Sequence, residues 1–267
     1  MAAPIKLAVA GSSGKMGRTI IEAALGVVDL KIVTALDRPD SPELGQDCAQ
    51  FLGQKIGVPI VADLAKIGDA DVLIDFTSPE ATLEHLRACV QGGVGAVIGT
   101  TGFDEAGKAA IAQSAQKIAI VAAPNMSVGV QALARIVELA ASILGSEYDV
   151  EIIEAHHKHK VDAPSGTALQ LGETAARARG QSLDSAGVYG RHGITGARNP
   201  GAIGFTSIRG GDIIGDHTVL FAGAGERIEI THRSTSRVAY AQGALRAARF
   251  LQAKRSGLYQ MRDVLGG

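Results

Sequence analysis

The sequence predicts an α/β fold in two parts: a doubly wound parallel sheet, then a second α+β domain with a mostly antiparallel sheet. Three observations carry this. Apolar runs of strand length alternate with helical patterns through the first half of the 267 residues. After Val150 the pattern changes to runs of strands separated by glycine turns. Finally, Gly11–Gly17, Asp37-Arg38, Gly99–Gly102 and Ala123–Ser127 each directly follow an apolar run. A parallel sheet would gather all four at the C-terminal ends of its strands, the edge where such sheets bind ligands.

The first strand is Ile5 to Ala10, ending at Gly11. Gly11-Ser12-Ser13-Gly14-Lys15-Met16-Gly17 then leads into a helical pattern through Leu25. Strand, glycine turn and helix together form the context of a dinucleotide fingerprint, which makes the first half Rossmann-like. Gly11 suits the tight turn, Gly14 the approach of backbone to a pyrophosphate, and Gly17 close packing of helix on strand. Ser13 stands where the second glycine of G-x-G-x-x-G would be. The second strand, Leu30 to Leu36, ends at Asp37-Arg38. An acidic residue there can accept from a ribose hydroxyl and an arginine can take a 2′-phosphate, so the pair suggests use of NADH or NADPH. Residues 40–60 read as an irregular loop with short strand or helix pieces. Asp71 to Phe76 is a buried strand, followed by Thr77-Ser78-Pro79-Glu80 as a helix start and Gly92-Gly93 as its stop. Ala96 to Ile98 is a strand, Asp104 to Lys117 a helix, and Ile118 to Ala123 a strand ending at Pro124-Asn125-Met126-Ser127.

Residues 127–144 form a long helical pattern that leaves the first domain. Val150 to His157 is a strand and Thr167 to Arg179 a helix. Strands follow at 202–208, 218–222 and 227–231, with Arg209-Gly210-Gly211-Asp212 and Ala222-Gly223-Ala224-Gly225 as hairpin-type turns between them. Tyr240 to Lys254 is an amphipathic helix expected to return to the first domain. The expected division is therefore 1–126 with 238–267 for dinucleotide binding, and 127–237 for substrate binding and oligomerisation. The open sheet of the second domain has edges that self-association would cover.

The most distinctive stretch runs from His156 to Thr167. Five basic or titratable side chains, His156-His157-Lys158-His159-Lys160, precede a turn-forming Asp162-Ala163-Pro164, and Ser165-Gly166-Thr167 opens a helix. A helix start offers backbone N–H groups and the positive end of a dipole. Proton donors thus stand beside an anion pocket, fit for a small substrate carrying carboxylates or phosphates. A metal site is not expected: consecutive histidines on a strand face opposite ways, and no acidic or Cys partner is spaced to close the site. His159 has no assigned role.

Composition narrows the rest. The formal net charge is −1, so no global field recruits nucleic acid or an acidic membrane. Cys48 and Cys89 have no metal-like spacing and fit a reduced, cytoplasmic protein. Met1 to Pro4 runs straight into a strand without a signal-peptide layout. No apolar run reaches membrane-spanning length on this reading, because Pro, Asn or charge interrupts each one.

On the run Glu151-Ile152-Ile153-Glu154-Ala155-His156-His157-Lys158-His159-Lys160-Val161-Asp162-Ala163-Pro164-Ser165-Gly166-Thr167-Ala168 the chain closely resembles the 4-hydroxy-tetrahydrodipicolinate reductases, also called dihydrodipicolinate reductases. Gly11–Gly17, Asp75-Phe76-Thr77, Gly99–Gly102, Asn125–Gly129 and Gly257–Leu265 agree in order, so the likeness spans essentially the whole chain. The resemblance implies NADH- or NADPH-dependent reduction of a cyclic hydroxy-dicarboxylate imine with loss of water, in lysine biosynthesis through diaminopimelate. It implies His156 as acid/base group and Lys160 as proton donor, with His157, Gly166 and Thr167 holding substrate. Gly11, Ser12, Ser13, Gly14, Lys15, Met16, Asp37, Arg38, Gly99, Thr100, Thr101, Ala123, Pro124, Asn125 and Met126 would hold the cofactor. Met126 stands where several relatives have Phe. A cytoplasmic homotetramer is implied as well. A phosphorylating semialdehyde dehydrogenase would need a nucleophilic Cys in the second domain, and none follows Cys89. A non-enzymatic dinucleotide sensor would not need the His/Lys cluster.

Overall fold

The computed structural model describes residues 3–266. Its elements in chain order are β1 (Ile5–Ala10), α1 (Lys15–Leu25), β2 (Leu30–Leu36), β3 (Ile60–Val61), β4 (Val72–Asp75), α2 (Pro79–Gly92), β5 (Gly95–Ile98), α3 (Glu105–Ala115) and β6 (Ala119–Ala122). Then come α4 (Val128–Leu144), β7 (Asp149–His156), α5 (Gly166–Ala178), α6 (Leu183–Ala186), β8 (Gly187–Val188), β9 (Ile203–Arg209), β10 (Gly215–Ala222) and β11 (Arg227–Ser234). The chain closes with α7 (Val238–Leu251), β12 (Gly257–Tyr259) and α8 (Met261–Val264). It divides into two compact units, Met1–Val128 with Arg237–Gly267, and Gly129–Ser236.

Helices α2 and α3 of the first unit begin where a side chain supplies an acceptor. Ser78 accepts from the Ala81 N–H with Pro79 just inside α2, and Asp104 accepts from the Gly107 N–H at 2.7 Å to start α3. Gly93, at φ 66°, ends α2 in the left-handed region. The strands are near-continuous apolar runs, buried on both faces as parallel strands are. They form one sheet in the order β12-β6-β5-β4-β1-β2-β3, with every pairing parallel. Strand order reverses between β1 and β4, which places the crevice at the C-terminal ends of those two strands. Cores lie on both faces, one under α1 and α7 (Leu7, Ile20, Ile74, Leu245), the other under α2 and α3 (Leu73, Leu86, Ile111, Ile120). The short β3 lies at the end of the segment read as a loop with short strand or helix pieces, while β12, which covers the β6 edge, escaped the sequence reading.

The second unit holds a five-stranded sheet ordered β11-β10-β7-β9-β8. β10 is antiparallel to both β7 and β11, and these ladders carry most of the paired residues; β9 runs parallel to β7 and β8. Here the expected hairpin at Arg209–Asp212 is corrected. β9 and β10 do not pair, because β7 lies between them, so the glycine segment is a crossover over the end of β7 rather than a two-strand turn. The central place goes to β7, whose Val150 and Ile152 are fully buried with Leu171, Phe205, Val219 and Phe221. Each such side chain contributes on the order of 1.5–3 kcal/mol through burial. Gly172 of α5 sits where a Cβ would press into the Phe205 ring, which sets how closely the helix covers the sheet.

Helix α4 corrects a second expectation. By length and composition alone, α4 with the helical turn after it, Val128–Glu147, 20 residues with mean hydropathy 1.5, is long and apolar enough to cross a membrane. Arg135 and Glu138 dilute its apolar character without breaking it. Leu133, Val137 and Ala141 on one face join the core of the second unit.

Candidate active site

In the first unit, the turn after β1 places Gly11 at φ 63°, and the Gly14 N–H donates to the Gly11 carbonyl at 2.9 Å. Gly14 caps α1 and brings no side chain to its first-turn N–H groups, an arrangement that suits an anionic group. A Cβ on Gly17 would lie 2.7 Å from Ser12 Cα and 2.8 Å from the Gly11 carbonyl carbon. Glycine there is thus a condition of the close turn. Ser13, the departure from the glycine pattern, ties this turn to the end of β2. Its N–H donates to Asp37 Oδ2 at 2.9 Å, and its hydroxyl bonds to the same oxygen. Asp37 Oδ1 accepts from the Arg38 N–H. The Arg38 side chain is 73% exposed and pairs with Asp40 at 3.0 Å.

The other strand ends are joined by a network that the sequence did not reveal. Asp75, 1% exposed, accepts from the Thr77 N–H at 2.9 Å and from its hydroxyl at 2.6 Å, and His85 Nδ1 lies 2.7 Å from the other oxygen. Thr100 Oγ1 accepts from the Thr77 N–H and from the Thr82 hydroxyl. Thr100 and Thr101 with Ala123, Pro124, Leu258 and Gln260 line an open pocket of about 400 Å³. Two expected cofactor residues turn inward. Ser12 and Met126 are each 1% exposed, Met126 within the first-unit core, so neither side chain presents surface to a ligand. Exposed Lys15 and Thr101 and part-buried Met16 and Asn125 are open to contact. Gly99 has no room for a Cβ, which would lie 2.5 Å from Phe76 Cδ1.

In the second unit the end of β7 carries the His/Lys cluster. The β9–β10 crossover wraps it: the Gly210 N–H donates to the His156 carbonyl at 2.9 Å, and the Lys158 N–H to the Gly211 carbonyl at 3.3 Å. Glu154, 1% exposed, faces the same way as His156 two residues on. Its Oε2 lies 2.6 Å from His156 Nδ1 and accepts from Arg209 Nη1 at 2.8 Å; Oε1 accepts from Arg209 Nη2 at 2.7 Å and from the Ser165 N–H at 3.2 Å. Burial alone would push the Glu154 carboxyl up, but Arg209, Ser207 and His156 outweigh it and hold it at about 2. Burial lowers the His156 imidazole below 6.5, partly offset by Glu154.

Ser165 caps α5 by accepting from the Ala168 N–H at 3.1 Å, and its hydroxyl lies 2.9 Å from Nε2 of buried His217. Burial, then the nearby His156, lowers His217 to about 4, so it is neutral near pH 7. Gly166 and Thr167 lie in the first turn of α5, where the helix itself supplies no acceptor for their N–H groups. Lys160 Nζ contacts both oxygens of Asp162 at 2.7 and 2.8 Å. His157 is part-buried with its ring 6.2 Å from that of exposed His159. The structure thus gathers His156, Lys160 and the α5 start around Glu154 and Arg209. Glu154 had a sequence signal, a carboxylate inside a buried strand at strand spacing from His156. Arg209, 55 residues from Glu154, had none.

A glycine-loop parallel sheet together with a separate unit bearing an imidazole, an ammonium and a helix start defines a Rossmann-type dehydrogenase or reductase. Residues 5–126 match the family described as dihydrodipicolinate reductase, N-terminus, and residues 129–265 match dihydrodipicolinate reductase, C-terminus. The 4-hydroxy-tetrahydrodipicolinate reductase of Burkholderia thailandensis is 59% identical over 263 residues, covering 98% of each chain. That of Burkholderia lata is 60% identical over 263 residues, 98% of this chain and 99% of the relative. The dipicolinate-bound dihydrodipicolinate reductase of Paenisporosarcina sp. TG-14 superposes with a TM-score of 0.76 at 28% identity, covering 97% and 99% of the two chains. This chain belongs to the dihydrodipicolinate reductase family.

Proposed function

We propose that this chain is an oxidoreductase that reduces (2S,4S)-4-hydroxy-2,3,4,5-tetrahydrodipicolinate to tetrahydrodipicolinate with loss of water, in lysine biosynthesis through diaminopimelate, using NADH or NADPH. The observation that carries this is the cluster of His156, Lys160 and the α5 start on the second unit of a chain about 60% identical to reductases so named. Cys48 and Cys89 are both buried, and burial raises both thiols, Cys48 to about 11, which leaves neither as a nucleophile.

The turn at Gly11 to Met16, Asp37, Arg38, Gly99 to Thr101 and Ala123 to Met126 would hold the dinucleotide, the first through α1 N–H groups and Asp37 through a ribose hydroxyl. A bound reduced nicotinamide would supply the hydride. The substrate's two carboxylates would be held by His157 and by the N–H groups of Gly166 and Thr167, at the positive end of α5. Lys160 attracts the same dianion, which competes with Asp162 for its ammonium. Loss of the hydroxyl as water leaves a C=C conjugated with the ring C=N. Hydride addition to that conjugated carbon puts negative charge on the ring, and Lys160 delivers a proton to it. His156 exchanges protons at Nε2 while Glu154 keeps Nδ1 engaged. The assigned parts are 1–126 with 238–267 for the dinucleotide and 127–237 for substrate and for assembly as a cytoplasmic homotetramer. Arg38 and Asp37 together would admit both cofactors.

The test supplies freshly made product of the preceding synthase and follows the absorbance of each reduced nicotinamide. Oxidation is expected with at least one, and none with either refutes the activity. Lys160→Ala is expected to lose ~10²–10⁴-fold in kcat, the usual worth of a positioned proton donor, with dinucleotide affinity kept. Unchanged turnover would remove Lys160 from the reaction.

A further inference from the structure

We propose that Glu154 is the positioning residue of this reaction. Its one buried carboxylate fixes the His156 ring with Nδ1 protonated and Nε2 presented, and holds the Ser165 end of α5 at the same time. The inference rests on the reductase activity proposed above and assigns a residue that the activity alone does not.

The two oxygens of Glu154 divide the work. Oε2 faces His156 Nδ1 at 2.6 Å, and Oε1 accepts the Ser165 N–H at 3.2 Å. An ionised carboxylate only accepts hydrogen bonds, so Nδ1 must carry the proton and Nε2 is left with its lone pair. The carboxylate cannot swing away, because Arg209 grips both oxygens at 2.8 and 2.7 Å. Arg209 in turn donates to the Asp162 carbonyl at 2.6 Å, so the same clamp fixes the loop that carries Lys160. On the far side, the neighbouring strand offers Gly215, where a Cβ would lie 3.1 Å from His156 Nε2. The ring therefore has a carboxylate behind it and a bare stretch of backbone beside its working nitrogen. Acid/base group, proton-donor loop and anion-binding turn all refer to one side chain that is itself too buried to touch substrate.

A purely structural buried ion pair would predict loss of stability on substitution and nothing specific at His156. The charged and titratable groups around the imidazole are Glu154 on β7, Lys160 and Asp162 on the loop, Arg209 on β9, and His217 and then His232 on β10 and β11. Of these, Glu154 lies at hydrogen-bond distance from its Nδ1, at 2.6 Å.

In the full-length protein labelled with ¹⁵N-histidine, His156 is assigned by its absence in His156→Gln. The expected spectrum near neutral pH shows Nδ1 protonated and Nε2 bare. A protonated Nε2 with bare Nδ1 overturns the proposal, and because no turnover is involved this holds whether or not the proposed activity does. Glu154→Gln is then compared with wild type and Glu154→Asp. Expected are a kcat lower by at least ~10-fold, within the ~10²–10⁴-fold that general acid–base catalysis supplies, and a His156 titration moved to lower pH. A several-fold higher substrate KM, unchanged dinucleotide affinity and partial recovery in Glu154→Asp are expected with them. If wild type turns over and Glu154→Gln keeps its kcat and pH profile, Glu154 is not the positioning residue. Should Glu154→Gln not fold, the wild-type spectrum still decides. Wild type without turnover refutes the activity and leaves the tautomer assignment to stand or fall by itself.

Discussion

Replacing Gly17 by Ala tests how the dinucleotide edge of the first unit is built. The added Cβ would lie 2.7 Å from Ser12 Cα and 2.8 Å from the Gly11 carbonyl carbon, and nearer still to the Gly11 oxygen. Ordinary contact begins near 3.4 Å, and every atom met is backbone, so no side chain can turn aside. The start of α1 must therefore back away from the β1 turn by roughly 1 Å, an overpacking that costs ~1–3 kcal/mol. At ~2–4 °C per kcal/mol for chains near this size, Tm should fall by about 2–12 °C. The displacement also moves the first-turn N–H groups off the position proposed for the pyrophosphate, and each ~1.4 kcal/mol of lost contact weakens binding ~10-fold. Gly26→Ala is the control, since its Cβ would meet only Ala23 O at 3.6 Å and its φ of −78° suits any residue. Thermal unfolding followed by circular dichroism and NADH titration by calorimetry read the two effects. A Gly17→Ala protein that melts within ~1 °C of wild type and binds NADH as tightly would show that the turn does not depend on this approach.

Two further perturbations follow from the buried polar groups. Asp75→Asn leaves His85 and Thr77 without their ionised acceptor, at ~1.5–3 kcal/mol for hydrogen bonds to a charged group. It should lower the urea midpoint and raise the dinucleotide KM, because the Thr77 and Thr100 loops lose their shared anchor; an unchanged KM would limit Asp75 to a structural part. His217, buried at about 4 against 6.5 when unfolded, makes the unfolded state the better proton binder between those values. Stability should therefore hold above pH 6.5 and fall by on the order of 3 kcal/mol as pH drops towards 4. His217→Gln should flatten that region of the urea-unfolding curve, and a wild-type curve already flat there contradicts the assignment.

Much of the first unit was legible because its signals are local. Ser78 with Pro79 and Asp104 each start a helix by accepting from an N–H three residues on, as Ser165 does in the second unit, and a reader of sequence sees both partners. The turn from Gly11 to Gly17 was legible for the same reason. The crossover at Gly210 was not: two strands and a short glycine segment look the same whether the strands pair or a third lies between them. Arg135 and Glu138 likewise looked like interruptions to α4, yet a window of that length absorbs two charges.

By itself, then, the sequence determined the α/β class, the strand-end segments of the first unit and the His/Lys stretch before α5, because these follow from periodicity and from residues within a turn of one another. Only the tertiary structure decided that β7 is the central strand of its sheet. That placement brings Arg209 from β9 and His217 from β10 to either side of Glu154. Such partners are chosen by which strand gains most from burial on both sides, a competition among distant segments that no local pattern records.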